Sequence, residues 1–192
     1  MELKQNSSRC VILLHEIYGI NQHIQHYAQL LFDKGYDVYV PDLINRKEPF
    51  TYEQEAKAYE NFMVNVGFSK AKSQVNELVS KIESKYEHIR IVGFSIGATI
   101  GWLCSVSTSV NKVICFYGSR IRQYTYINPV AHTILIYGDQ EKSFNAADLK
   151  KALPLHKHVD VKIVEGAHGF ADPYSVKYNP VLTNRLIQYI TE

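Results

Sequence analysis

The chain has 192 residues, 46% hydrophobic and 21% charged, with a net charge of +2. That is enough for one domain with a full core, and residues 1–192 show no repeat, low-complexity tract or linker that would divide it. The near-neutral balance and the lack of a Lys/Arg cluster argue against a nucleic-acid partner, and no apolar stretch approaches the roughly 18 residues that span a membrane.

Residues 1–8 lack the apolar centre of a signal peptide. Cys10, Cys104 and Cys115 lie in apolar runs without Cys-x-x-Cys spacing. The expectation is a cytoplasmic protein with buried, reduced thiols.

Residues 10–15 form a continuous apolar run, which predicts a strand buried on both faces. A loop over 16–21 follows. Residues 22–34 carry Ile24, Tyr27, Ala28, Leu30 and Leu31 at helical spacing, and Gly35 supplies the stop. Residues 36–40 read as a strand ended by Pro41. After a loop, residues 51–65 read as a helix with a break near Gly67 and Phe68. A longer amphipathic helix is predicted over 69–86, with Ala71, Val75, Leu78, Val79 and Ile82 on one side. Further strands are expected at 88–92, 112–118, 133–138 and 159–164, and helices at 98–104, 146–152 and 180–190. Strands alternate with helices, and the central strands are apolar throughout. That pattern predicts an α/β fold with a mostly parallel sheet of about six strands, covered by helices on both faces. Functional residues then belong outside the carboxyl ends of the strands.

The chain's strongest motif is Gly93-Phe94-Ser95-Ile96-Gly97, between a predicted strand and a predicted helix. In that context Gly-x-Ser-x-Gly reads as a nucleophile elbow. The turn is tight enough to strain the serine backbone, so its neighbours must be small. A serine hydroxyl needs a base. His168, in Gly166-Ala167-His168-Gly169-Phe170, stands just past the last predicted strand and in the chain order Ser, acid, His. The orienting acid should follow the strand at 133–138, where Asp139 and Glu141 both stand, and spacing alone does not choose between them. His15 and His132 also lie near strand ends. His156 and His158 form a His-x-His pair without a third ligand and read as exposed.

These segments together resemble the dienelactone hydrolase family. The resemblance rests on His15-Glu16-Ile17-Tyr18-Gly19-Ile20-Asn21, on Gly35-Tyr36 with Pro41-Asp42-Leu43, on Phe116-Tyr117-Gly118 and on Gly166-Ala167-His168-Gly169-Phe170. It implies an α/β-hydrolase fold in a minimal form without a large lid. In the family frame an acid stands three residues after a glycine, with a hydrophobe three residues further on. Gly138, Glu141 and Phe144 fit that frame and Asp139 does not, so the resemblance favours Glu141. It further implies an oxyanion hole from the backbone N–H groups of Ile17 and Ile96. Glu16 matches a glutamate beside the nucleophile, and Tyr18, Tyr59 and Tyr117 are expected in the substrate pocket.

Two departures separate this chain from the family's namesake. Ser95 stands where the namesake has a cysteine, and Glu55 and Asp172 stand where it has two substrate-binding arginines. Acids there would repel an anionic lactone. Arg46 and Arg120 follow strand ends and could meet an anion instead. The expectation is a serine hydrolase of carboxylesterase type, cleaving a small acyl substrate as a monomer or homodimer, with no metal or organic cofactor. The alternatives are a hydrolase of lactone, thioester or peptide bonds, and a hydrolase-fold protein that binds a ligand without turnover.

Overall fold

The computed structural model describes residues 1–153 and 157–191. A seven-stranded sheet runs through the molecule in the order β1-β3-β2-β4-β5-β6-β7. The strands are β1 (Glu2–Leu3), β2 (Arg9–Leu14), β3 (Asp37–Tyr39), β4 (His88–Phe94), β5 (Lys112–Phe116), β6 (His132–Gly138) and β7 (Val159–Val164). All pairings are parallel except that of β1 with β3. Register aligns the carboxyl ends: Leu14 faces Gly93, Phe94 faces Phe116, and Phe116 faces Ile136.

The alternation of side chains along each strand splits the core in two. Ile12, Leu14, Ile91, Val113, Cys115, Leu135 and Tyr137 point to one face. There they meet α2 (Glu55–Asn61), α3 (Gly67–Ile82), α4 (Ile96–Cys104) and α5 (Ala146–Ala152) through Ala58, Val75, Val79, Ile100 and Leu149. Val11, Leu13, Val92, Phe94, Ile114, Phe116 and Ile136 point to the other face. They meet α1 (Gln22–Asp33) and α6 (Pro180–Thr191) through Ile24, Tyr27, Leu31, Leu186 and Ile190. Each such aliphatic side chain, fully buried, contributes about 1.5–3 kcal/mol. The three cysteines are buried and unbridged. Among the described residues, no helix is long and apolar enough to cross a membrane.

The parallel α/β architecture agrees with the sequence reading, and three local features differ from it. The seventh strand, β1, is only two residues long and carries no pattern of its own. Tertiary contacts make it: Val40 N–H donates to the Met1 carbonyl at 2.8 Å, and Asp37 accepts from the amides of Gln5 and Ser7 at 2.8 and 3.2 Å. Secondly, the break expected near Gly67 and Phe68 is present as a kink at Gly67, but a π-turn that the sequence did not show precedes it. α2 runs through a wide π-turn (Phe62–Val66) directly into α3, and Gly67 takes φ +70° at the junction. Thirdly, α3 stops at Ile82, and a 3₁₀ turn (Glu83–Lys85) completes the span read as helix to 86. His158 is exposed as expected, while His156 lies outside the described residues.

Candidate active site

The site lies at the carboxyl ends of β4, β6 and β7, which deliver Ser95, the Glu141 loop and the His168 loop. Ser95 sits between β4 and α4 at φ +52° and ψ −110°, a conformation that L-residues rarely adopt. Two glycines make the turn possible. A Cβ on Gly93 would stand 2.3 Å from the Gly97 carbonyl oxygen. One on Gly97 would stand 2.4 Å from the carbonyl oxygen of Leu14 and 2.6 Å from that of His15. The end of β2 therefore lies directly against the elbow. The Ser95 amide donates to the Phe116 carbonyl at 2.9 Å, which ties the turn to β5.

Ser95 Oγ lies 3.1 Å from His168 Nε2, and His168 Nδ1 lies 2.9 Å from Glu141 Oε2. The Glu141 side chain is 1% exposed and the His168 side chain 34% exposed, so the carboxylate is enclosed while the imidazole reaches solvent. Asp139 has another partner: its Oδ1 accepts the Gly166 amide at 3.0 Å. It ties the loop after β6 to the loop that carries His168.

Ile17 and Ile96 are both buried, Ile96 as the first residue of α4 and Ile17 on the loop held against the elbow. His15 fixes that loop. Its Nδ1 donates to the Glu16 carbonyl at 2.6 Å, and its Nε2 accepts the Leu43 amide at 2.9 Å. The sequence placed His15 near a strand end without showing this bracing role.

Of the three expected pocket tyrosines, Tyr117 is fully buried and packs its ring 4.8 Å from that of His168. It backs the imidazole and does not line open space. Tyr18 is half-buried and sets its ring edge-on to Tyr52 at 4.9 Å. Tyr59 is exposed, and its hydroxyl accepts a hydrogen bond from Arg120. Arg46 stacks over Phe50 at 4.1 Å. Glu55 is exposed. His132 is exposed and pairs with Asp160.

Asp172 is buried, and its Oδ2 accepts the Tyr52 hydroxyl at 2.5 Å. Beside it lies His23, fully buried, whose Nδ1 stands 3.4 Å from Glu16 Oε2 and 3.9 Å from Asp172 Oδ2. Burial pushes the Glu16 carboxyl up, but His23, His168 and His15 outweigh it and hold the group below the usual carboxylate range. His23 and Tyr52 carried no signal in the sequence. Each sits in a helical segment, and only the folded chain brings them to Asp172.

A strained serine between a parallel strand and a helix, with a histidine from the last strand's exit loop within hydrogen-bond distance, defines an α/β-hydrolase. The comparisons with known proteins agree. The chain matches the Dienelactone hydrolase family over residues 2–192. It is 36% identical over 182 residues to the uncharacterized protein YczH of Bacillus subtilis (strain 168), covering 94% of this chain and 89% of that one. It is 22% identical over 153 residues to the carboxymethylenebutenolidase of Pseudomonas putida, covering 74% of this chain and 64% of that one. Among solved structures, it resembles the dienelactone hydrolase-like promiscuous phosphotriesterase P91 from metagenomic libraries, with a TM-score of 0.76 at 12% identity. That match covers 98% of this chain and 86% of the other. This chain belongs to the dienelactone hydrolase family and is a hydrolase.

Proposed function

We propose that the protein is a serine hydrolase that cleaves small, uncharged carboxylic esters through an acyl-enzyme. The observation that carries this reading is the contact chain from Ser95 Oγ to His168 Nε2 and from His168 Nδ1 to Glu141, at 3.1 and 2.9 Å. Neutral His168, with its proton on Nδ1, takes the hydroxyl proton as Ser95 attacks the ester carbonyl carbon. Glu141 accepts the Nδ1–H hydrogen bond and stabilises the imidazolium that forms. The same proton then passes to the leaving alkoxide, and the alcohol departs. Water repeats the sequence on the acyl-enzyme and restores Ser95. The Ile17 and Ile96 amides serve as oxyanion donors, typically worth a few kcal/mol of barrier each.

Preference for an uncharged substrate rests on Glu141, whose carboxylate stands against His168, and on the absence of arginine at the two positions where the family's namesake holds a substrate anion. A series of p-nitrophenyl esters of rising acyl length tests the reading. Turnover by the natural protein, lost in Ser95→Ala, is the expected result. Equal turnover by both proteins would refute it.

A further inference from the structure

We propose that Glu16, His23 and Asp172 form a binding site for one divalent first-row transition-metal ion, of the zinc or manganese type. The three residues come from separate segments: the loop after β2, the first turn of α1, and the stretch after the His168 loop. No ligand spacing is visible in the sequence for that reason. All three are buried, at 6%, 0% and 3% exposure.

The distances within the cluster suit an ion better than hydrogen bonds. His23 Nδ1 lies 3.4 Å from Glu16 Oε2 and 3.9 Å from Asp172 Oδ2, and all three donor atoms lie within 4.8 Å of one another. A hydrogen bond between nitrogen and oxygen needs about 2.7–3.2 Å. A triangle with sides of 3.4 and 3.9 Å and a third of at most 4.8 Å has its centre no more than about 2.4 Å from each corner, and zinc binds imidazole nitrogen and carboxylate oxygen at about 2.0–2.2 Å. The three donor atoms thus surround a common point at a spacing that an ion fits.

An independent observation comes from His23 itself. Neither of its ring nitrogens has a hydrogen-bond partner among the described residues, although the residue is fully buried. An unpaired buried polar group carries a desolvation cost, and a bound ion at Nδ1 removes it for that atom. The ring is held in place by Tyr27 and Phe94, with centroids at 5.3 and 4.5 Å.

Charge leads to the same site. Glu16 and Asp172 share His23 as their ion-pair neighbour. One proton on that ring would leave a net negative charge buried. A divalent ion bound to neutral imidazole and two carboxylates leaves none. One nitrogen and two oxygen donors match zinc, manganese or iron(II), with zinc binding more tightly than the other two. The Tyr52 hydroxyl, donating to Asp172 Oδ2, orients that ligand from outside. Such an ion would tie the loop that carries Ile17 to the segment that follows His168.

Metal uptake by the chelator-stripped protein, without substrate, tests the site independently of the hydrolase reading. Cobalt(II) should produce a visible absorption band that saturates at one equivalent and is displaced by zinc, and zinc should raise the melting temperature reversibly. His23→Gln and Asp172→Asn should each abolish the band, while His158→Gln, at an exposed histidine, should leave it unchanged. Zinc should also move the His23 ring ¹⁵N signals of the unaltered protein, a readout that does not depend on the variants folding. No uptake by the natural protein would overturn the proposal. So would uptake that survives in folded His23→Gln, or a His23 ring that stays a doubly protonated imidazolium in excess zinc.

Discussion

Gly138 and Gly166 are in backbone contact: a Cβ on Gly138 would stand 2.1 Å from the Gly166 carbonyl oxygen. The loops bearing Glu141 and His168 are pressed together there, and Asp139 and Gln140 add hydrogen bonds to Gly166 at 3.0 Å each. Gly138→Ala should therefore force the loops apart. Overpacking of this kind costs about 1–3 kcal/mol, and displacement of the imidazole should lower kcat as well. Denaturant unfolding and ester turnover measured on the same preparation check both effects. An alanine variant with natural stability and rate would show that the contact is unimportant.

The two neighbouring acids should separate cleanly. Glu141→Gln removes the charge that faces His168 Nδ1, and kcat should fall by about 10²–10⁴. Asp139→Asn keeps an oxygen for the Gly166 amide and should cost little in rate. Side-by-side kinetics decide between them. A crippled Asp139→Asn beside a near-normal Glu141→Gln would reverse the assignment.

Backbone strain at Ser95 gives a stability prediction. At φ +52° and ψ −110° a glycine is more comfortable than any residue with a Cβ. Ser95→Gly should be more stable than Ser95→Ala by about 1–2 kcal/mol, and both should be inactive. Ser95→Ala itself should stay within about 1 kcal/mol of the natural protein. Paired denaturation curves provide the measurement, and equal stability of the two variants would argue against strain at the elbow.

The buried thiols set an alkaline limit. Burial pushes the Cys10 and Cys104 thiols up to about 12, well above the ordinary thiol range. In the unfolded chain these thiols lose their protons near their ordinary value, so above it the folded state binds more protons than the unfolded one. Stability from this source should be intact below about pH 9 and fall progressively between about 9 and 12. Native protein at pH 8 should also resist thiol reagents until it is unfolded. Fast labelling of folded protein would contradict the burial of these groups.

Much of this arrangement is legible in the sequence. Continuous apolar runs at β2, β4, β5 and β6 mark strands buried on both faces, and the glycines around Ser95 mark the elbow by what they must avoid. Glu141 is legible through the family frame of Gly138 and Phe144, since Asp139 and Glu141 are equivalent by spacing alone. β1 escapes the reading because two residues carry no periodicity. The π-turn before Gly67 escapes because its cause is a local widening of one helix and not a break in the apolar pattern. The Glu16–His23–Asp172 cluster is invisible because its members occupy an ordinary loop, an ordinary helical turn and a position where only an absent arginine drew notice. Tyr117 follows a strand end like a pocket residue, yet it turns into the core behind His168.

Fluorophosphonate labelling with peptide mapping separates an activated serine from an inert one, because only the activated hydroxyl reacts. A single phosphonyl adduct on Ser95 is expected, absent in Ser95→Ala and strongly slowed in His168→Ala. An unlabelled natural protein, or an adduct on another serine that persists in Ser95→Ala, would contradict an activated Ser95.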